Sequence, residues 1–316
     1  TLFPYTTLFR SEHSNVKAAF THPMFAEGVS LAAQPNAVRV FFSDSMGDPA
    51  KADIAQLTRG VPPLAQNVDC APRDTAIIVY TNAYRGVPLG ACLTHAGLIF
   101  DAEVCRKAAV VGEQDAFISA LPLFHAFSLT VCLNLPIHSG GMSIFHETFS
   151  EARAVETLES EPISIFPAVP TMYKRILDEY GASGRDFSSV KAFIPGGAPP
   201  VPPDLFVNFR RAFKAAVYEG YGITECGPVT SVNPISKKQN KPGSVGPPLE
   251  NVSVKTVGED GEELPPGETG ELLVRGENVM EKYLDSPEET KLFLRDGWLH
   301  TGDLAALDED GFIYLK

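Results

Sequence analysis

The chain of 316 residues lacks several features that would place it in other classes of protein. No run of Lys and Arg breaks its acidity, since 26 basic residues face 39 Asp and Glu for a net charge of -13. Because nucleic acids are bound by basic faces, they are not expected as partners. The five cysteines form no Cys-x-x-Cys pair, which argues against a thiolate zinc site and favours reduced, mostly buried thiols in a cytoplasmic protein.

The sequence also lacks an uninterrupted apolar helix that could cross a bilayer. Residues 116–146 carry no Asp, Glu, Lys or Arg, but Pro122, Pro136 and the pair Gly140-Gly141 interrupt them. A membrane span needs about 20 consecutive apolar residues in one helix. The segment therefore predicts buried core of an α/β protein, with no transmembrane segment. Peripheral attachment to a membrane is left open.

The two ends of the chain indicate an internal fragment. Residues 1–11 match the translation of a short-read sequencing adapter, residue for residue, and are interpreted as a non-native scar. At the other end, Asp308–Gly311 predicts a turn and Phe312–Leu315 a strand with no partner after it. We therefore expect the natural sequence to start before Glu12 and to continue beyond the last residue.

Short β-branched runs alternate with helical segments through the middle of the chain. Strands are predicted at residues 75–80, 117–123, 163–166, 190–194 and 216–218, and helices at 94–110, 151–159, 171–180 and 203–213. Alternation at this spacing predicts an α/β fold with a doubly wound parallel sheet. Ligands of such sheets bind at the carboxyl ends of the strands.

Past residue 236 the pattern changes to that of antiparallel β-structure. Val252–Lys255 alternates, a connection rich in Gly, Asp, Glu and Pro follows, and Glu271–Arg275 again predicts a strand. The expected organisation is a remnant of a preceding subdomain at 12–74, an α/β subdomain at 75–236, and a β-rich subdomain at 237–316.

Several loops fall where the predicted strands end. They are residues 80–95 (YTNAYRGVPLGACLTH), Leu121–His125 (LPLFH), Pro195–Pro199 (PGGAP) and Tyr218–Glu225 (YEGYGITE). The first is interpreted as a strand-to-helix loop whose backbone N–H groups and hydroxyls suit a polyphosphate. Each loop alone is weak evidence for a function. A Thr-Glu pair is most often a helix cap, and a lone histidine such as His125 is most often a buried core residue.

Together with further segments in the same order, these loops resemble the adenylate-forming superfamily of acyl-CoA ligases, luciferases and peptide-synthetase adenylation domains. The further segments are GSVGPP at 243–248, GETGEL at 267–272, NVM at 278–280 and GWLHTGD at 297–303. The run EGYGITE at 219–225, followed by VNP at 232–234, is most similar to bacterial long- and medium-chain fatty acyl-CoA ligases.

The resemblance implies a fold, a reaction and its ligands. Such enzymes form an acyl-adenylate from a carboxylate and ATP, release pyrophosphate, and then pass the acyl group to coenzyme A. The expected substrate is a fatty acid or another small carboxylate, with ATP, Mg²⁺ and coenzyme A. The family's small C-terminal domain with its catalytic lysine is expected to lie beyond this chain, so the fragment itself is expected to be inactive.

The same resemblance implies roles for single residues. Three residues are expected to be catalytic: Glu225, which would bind Mg²⁺, Thr224, which would contact the phosphate, and His125, whose loop would line the acyl pocket and position the carboxylate. Asp303 is expected to accept hydrogen bonds from the ribose hydroxyls. Glu219, Gly220, Tyr221 and Gly222 are expected to flank the adenine, where small residues let the backbone approach the base. The other residues expected to line the nucleotide or the acyl group are Thr81, Asn82, Gly86, Gly90, Gly197 and Ala198, which makes 75–236 the expected nucleotide- and acyl-binding subdomain.

The first loop departs from the family pattern where it would face phosphate. Residues 82–85 read NAYR in place of the family's small and hydroxyl residues, and Leu89 stands where the family carries a lysine. Arg85 offers a positive charge from another position. The alternatives are therefore a fatty acid–CoA ligase, an aryl-acid CoA ligase, and a non-catalytic relative that binds acyl groups or acyl-CoA.

Overall fold

The computed structural model describes residues 10, 13–21, 29–30, 33, 38–43, 57–62, 68–81, 88–197, 203–237, 240–241 and 243–316. The chain divides between Cys70 and Ala71 into two compact units. In the first, strands β1 (Ala18–Thr21) and β2 (Arg39–Phe42) pair in parallel. The predicted adapter-derived segment lies outside the described residues except for Arg10, and the predicted subdomain bounds stay predictions.

The second unit carries the elements that position the candidate site. Its strands are β3 (Thr75–Tyr80), β4 (Gly90–Thr94), β5 (Ala116–Ser119), β6 (Met142–Phe145), β7 (Ile163–Ala168), β8 (Ala192–Pro195), β9 (Gly220–Tyr221), β10 (Ser231–Val232), β11 (Ser253–Val257), β12 (Thr269–Arg275), β13 (Lys282–Tyr283), β14 (Leu294–Arg295), β15 (Trp298–Leu307) and β16 (Ile313–Leu315). Its α-helices are α1 (His95–Ala109), α2 (Ala126–Ser128), α3 (Leu135–Ser139), α4 (Glu151–Ser160), α5 (Pro170–Tyr180), α6 (Pro203–Phe213) and α7 (Pro287–Phe293).

A parallel sheet with the strand order β6-β5-β7-β8 forms the centre of the α/β part. Helix α5 connects the parallel neighbours β7 and β8, and helix α4 connects β6 to β7, which lie on either side of β5. This arrangement confirms the predicted α/β class. The strand predicted at 216–218 is reduced to one parallel bridge between Phe193 and Val217. That prediction was wrong because the apolar run is too short to extend a ladder.

An aromatic cluster packs the helices onto this sheet. Tyr173 of α5 is fully buried, and its hydroxyl donates a hydrogen bond of 2.6 Å to the Phe166 carbonyl of β7. The Tyr173 ring meets the Phe209 ring edge-on at 5.2 Å. Phe206, Phe209 and Phe213 recur at helical spacing along α6 and are all buried. This rigid core sets the direction of the loops that leave the strands.

The described residues on either side of 82–87 belong to two paired strands, and a helix begins at His95, which corrects the predicted strand-to-helix loop. Strand β4 pairs with β3 antiparallel, and the Thr81 amide donates to the Leu89 carbonyl at 2.9 Å. The assignment of residues 75–80 to the parallel sheet was therefore wrong. Four of the five β4 residues are buried, so the strand shows no alternation that the sequence could reveal. Thr94 caps α1 by accepting a hydrogen bond from the Gly97 amide.

The charge-free segment 116–146 is buried strand and irregular helix. After β5 and α2 the chain widens into a π-helical stretch, Leu129–Asn134, before α3. Pro136 has no N–H to donate to the Cys132 carbonyl, which instead accepts from the hydroxyls of Ser143 at 2.7 Å and Ser119 at 3.2 Å. Among the described helices, none has the length and apolarity that a membrane span requires.

The last part of the chain is an antiparallel sheet, as predicted from the change in pattern. Its order is β11-β12-β15-β14, and β16 pairs with β15. The prediction that Phe312–Leu315 has no partner was wrong. Its partner precedes it in the chain: the turn over Asp308–Gly311 folds β16 back onto β15, with Ile313 opposite Leu307.

Candidate functional site

Two predicted ligand loops lie in contact at the carboxyl end of the parallel sheet. The loop after β5 ends at His125, and the loop after β8 contains Gly196 and Gly197, the latter with φ +85°. A Cβ atom on Gly196 would lie 2.4 Å from the tip of the Phe127 ring, so the loop after β8 packs against helix α2, which follows His125 directly. Ala198 lies outside the described residues.

His125 is exposed, so the alternative of a buried core histidine is wrong. Its ring lies 4.7 Å from that of Phe124, whose side chain is also exposed. The buried hydroxyl of Ser128 fixes the backbone of this loop, because it donates to the carbonyls of Pro122 and His125. The loop therefore presents an imidazole and an aromatic ring at the sheet edge where ligands of α/β proteins bind.

Glu225 stands on a single 3₁₀ turn, Thr224–Cys226, that ends at Gly227 with φ +80°. One oxygen of its carboxylate accepts a hydrogen bond of 2.6 Å from the hydroxyl of Tyr283, and its carbonyl accepts one of 2.8 Å from the Met280 amide. Burial and the negative charge of Glu225 raise the pKa of Tyr283. The hydroxyl therefore stays protonated and donates the hydrogen bond that orients the Glu225 carboxylate.

Side chains from other elements hold the loop that follows Glu225. The amide nitrogen of Asn278 donates to the carbonyls of Cys226 at 2.8 Å and Val229 at 3.0 Å. The Thr130 hydroxyl donates to the Gly227 carbonyl at 3.1 Å. Asn278 begins the NVM segment of the family resemblance but was given no role, and Thr130 belongs to no quoted motif, because both are far from this loop in sequence.

Asp101 of α1 lies under the same loop and is fully buried. Its Oδ2 accepts a hydrogen bond of 3.3 Å from the Val229 amide, and its Oδ1 has no partner among the described residues. Burial raises the pKa of Asp101 well above its usual range. The neighbouring thiol of Cys226 is buried, and burial raises its pKa to about 12, which confirms the interpretation as a packed thiol.

Three of the other four cysteines are packed thiols in the same way. All five are free; Cys70 is exposed, and the rest are buried.

Strand β9 (Gly220–Tyr221) pairs antiparallel with β10 (Ser231–Val232) in a short two-stranded sheet. Tyr221 pairs with Ser231, and the Asn233 amide and side chain both donate to the Glu219 carbonyl. Burial raises the pKa of Glu219, and the positive charge of Arg210 partly opposes that rise. Gly222 follows with an exposed backbone, and a Cβ atom there would lie 1.7 Å from the Pro228 carbonyl oxygen, so contact with this backbone by itself requires glycine.

Asp303 lies beside this two-stranded sheet although 82 residues separate it from Tyr221. The Tyr221 hydroxyl donates to Asp303 Oδ2 at 2.5 Å. Burial and the charge of Asp303 raise the pKa of Tyr221, so this hydroxyl too remains a donor. In each case a tyrosine holds one oxygen of a predicted ligand-binding carboxylate. Neither tyrosine–carboxylate contact was predicted.

The first loop is described only at its two ends. Asn82 and Gly86 lie outside the described residues, whereas the Thr81 hydroxyl donates to the Leu89 carbonyl at 3.4 Å. The Leu89 side chain is 5% exposed and packs in the core, away from solvent. At Gly90 a Cβ atom would lie 2.8 Å from an Ile78 methyl group, so packing against β3 by itself requires glycine there.

The residues present suit a metal ion that is shared with a substrate. Within the described part of the chain, no three His, Cys, Asp or Glu side chains form a group that could hold a metal ion. Mg²⁺ is commonly bound by one or two carboxylates together with water and substrate phosphates. Glu225 fits that mode, because among the described residues only Tyr283 bonds to its carboxylate, through Oε1.

Curated proteins with similar sequences are CoA ligases. The chain is 35% identical over 245 residues to a long-chain-fatty-acid–CoA ligase of Bacillus subtilis (strain 168), covering 77% of this chain and 43% of that protein. It is 37% identical over 243 residues to a feruloyl-CoA synthase of Amycolatopsis, covering 77% and 49%. The chain therefore spans less than half the length of these relatives.

Solved structures and family membership agree with these relatives. ATP-bound MatB from Rhodopseudomonas palustris superposes with a TM-score of 0.90 at 28% identity, covering 99% of this chain and 61% of that one. The family of AMP-binding enzymes matches residues 3–284. With the predicted motifs placed around one sheet edge and one two-stranded sheet, the chain belongs to the AMP-binding enzyme family of adenylate-forming ligases.

Proposed function

We propose that this chain is the nucleotide- and carboxylate-binding part of an ATP-dependent fatty acid–CoA ligase. The observation that carries the proposal is the hydrogen bond of 2.5 Å between Tyr221 and Asp303. It joins the segment expected along the adenine to the carboxylate expected at the ribose. These motifs are distant in sequence, and a shared nucleotide explains why they meet.

The proposed reaction couples a carboxylate to the α-phosphorus of ATP. A carboxylate oxygen forms the new bond, and pyrophosphate leaves with the electrons of the broken P–O bond. Glu225 would hold Mg²⁺, which neutralises charge on the phosphates, and Thr224 would contact the phosphate. Asp303 would accept hydrogen bonds from the ribose, while the His125 loop and Gly197 would line the acyl group.

A second candidate is an aryl-acid CoA ligase. The feruloyl-CoA synthase is 37% identical to the chain, against 35% for the fatty acid ligase of Bacillus subtilis. The exposed ring of Phe124 beside His125 suits an aromatic acid as well as an alkyl chain. Pyrophosphate exchange separates the two candidate functions. It is measured with an intact ligase that contains this chain and a series of fatty and aromatic acids, since only a true substrate supports exchange.

Binding of ATP by this chain tests the nucleotide part of the proposal. We expect calorimetric titration to show tighter binding with Mg²⁺ than with EDTA. Glu225→Gln should lose this metal dependence and weaken binding of Mg²⁺–ATP about tenfold or more, because a neutral amide is a poor ligand for a hard cation. The control Glu268→Gln removes the same charge from an exposed turn and should bind as the unaltered chain does.

Two results would contradict this proposal. ATP binding that does not change with Mg²⁺ would remove Glu225 from the metal site. Binding of fatty acid without any binding of ATP would favour the non-catalytic acyl-binding relative, and would connect that loss to the altered residues 82–85 and Leu89.

A further inference from the structure

Strand β15 contains a bulge at the position of Asp303. Glu271 pairs with Leu304, and the next paired positions are Leu273 and His300. Between these two pairs β12 has one residue, 272, whereas β15 has three, 301–303. The additional residues of β15 lie around Gly302, whose φ of +75° lies in the left-handed region. Such bulges redirect side chains and are common beside binding sites. Here the redirected residue is Asp303.

The carboxylate of Glu271 contacts residues on both sides of this bulge. Its Oε1 accepts a hydrogen bond of 3.2 Å from the Gly302 amide, and its Oε2 lies 2.9 Å from Nδ1 of His300. The Arg295 guanidinium lies 2.8 Å from the same imidazole nitrogen. Because one ring nitrogen does not accept from Arg295 and donate to Glu271 at once, the Gly302 amide supplies the hydrogen bond through which Glu271 holds the bulge. Glu271 thus fixes the peptide on which Asp303 depends for its direction.

The Thr301 hydroxyl also fixes the bulge, through a hydrogen bond to strand β12. The Thr301 hydroxyl donates to the Leu272 carbonyl at 2.7 Å and accepts from the Asp303 amide at 3.1 Å. Asp303 Oδ2 is held by Tyr221. With its backbone and one oxygen fixed, Asp303 presents its Oδ1 in one direction.

We propose that Glu271 is a positioning residue that directs Asp303 toward the ribose hydroxyls of a nucleotide; this rests on the function proposed above. Glu271 acts through the Gly302 peptide and touches no substrate. Its carboxylate replaces the ladder hydrogen bonds that the bulge removes, so its loss lets the bulge relax. A relaxed bulge turns Asp303 away from the ribose without altering the rest of the sheet.

The discrimination between ATP and 2′,3′-dideoxy-ATP tests this role. We expect the unaltered chain to bind ATP about tenfold more tightly than the dideoxy nucleotide, because hydrogen bonds from the ribose hydroxyls to a carboxylate are lost. Glu271→Ala should reduce this ratio to about twofold or less, as should Asp303→Ala. Glu271→Gln keeps an acceptor for the Gly302 amide and should retain most of the discrimination.

A nucleotide-independent measurement accompanies the titrations. Glu271→Ala should speed amide hydrogen exchange in peptides covering residues 300–304, and Glu268→Gln, on the preceding turn, should leave that exchange unchanged. A Glu271→Ala chain that keeps the full tenfold ratio overturns the proposal for Glu271 and leaves the nucleotide site intact. An unaltered chain that binds both nucleotides equally overturns the ribose role of Asp303, and the proposal for Glu271 falls with it.

Discussion

Replacing Gly222 with alanine is expected to destroy nucleotide binding and to destabilise the chain. An ideal Cβ atom on Gly222 would lie 1.7 Å from the carbonyl oxygen of Pro228 and 3.0 Å from the Cα atom of Val229. Both contacts are with backbone, which has no rotamer to change, so the loop carrying Glu225 must move. Overpacking typically costs about 1–3 kcal/mol, and we expect the upper end of that range.

The expected binding defect is a weakening of ATP affinity by more than about tenfold. Calorimetric titration and denaturant unfolding measure the two effects. Gly112→Ala is the matched control, since a Cβ atom there meets nothing within 4 Å. It should be neutral in both measurements. Unaltered ATP affinity in Gly222→Ala would show that this backbone does not lie against the nucleotide.

Replacing Asp101 with asparagine is expected to flatten the dependence of stability on pH. Asp101 is fully buried under the Glu225 loop, and its Oδ1 has no partner among the described residues. Burial raises its pKa well above the usual range, so the folded protein keeps a proton that the unfolded chain releases. The nearest thiols, Cys105 and Cys226, also have raised pKa values and stay neutral.

The sign of this pH dependence follows from proton linkage. Above the unfolded pKa of about 4, the folded state binds the additional proton, so the free energy of unfolding falls as pH rises. The slope for one group is about 1.4 kcal/mol per pH unit and continues up to the folded pKa. An asparagine side chain does not titrate. The stability of the Asp101→Asn chain, relative to the unaltered chain, should therefore grow at about that rate from pH 5 upward.

Denaturant unfolding between pH 5 and 8 measures this difference. Asp115→Asn is the control of opposite sign: burial opposes the charge of Asp115, but hydrogen bonds from Lys191, Ser164 and Gly112 hold its pKa below the usual value. That variant should lose stability by an amount that is constant above pH 5. A constant difference for Asp101→Asn as well would mean that Asp101 is ionised in the folded protein.

The elements that sequence reasoning located best have strong local patterns. The predicted helix at 171–180 is observed as Pro170–Tyr180, and that at 203–213 as Pro203–Phe213, because apolar residues recur at helical spacing in both. Strand β4 was missed because it is short and buried on both faces. The partner of β16 was missed because a strand pattern does not say whether its neighbour precedes or follows it.

The sequence by itself determined the family, the α/β class and the change to antiparallel structure, and it predicted which loops face a ligand. Those properties depend on residue order and local periodicity, which are present in the unfolded chain. Only the tertiary structure decided that Tyr283 holds Glu225, that Tyr221 holds Asp303, that Asp101 is buried under the Glu225 loop, and that Glu271 spans a bulge. Each contact joins residues distant in sequence, and burial, hydrogen-bond geometry and pKa depend on the neighbours that folding brings within a few ångströms.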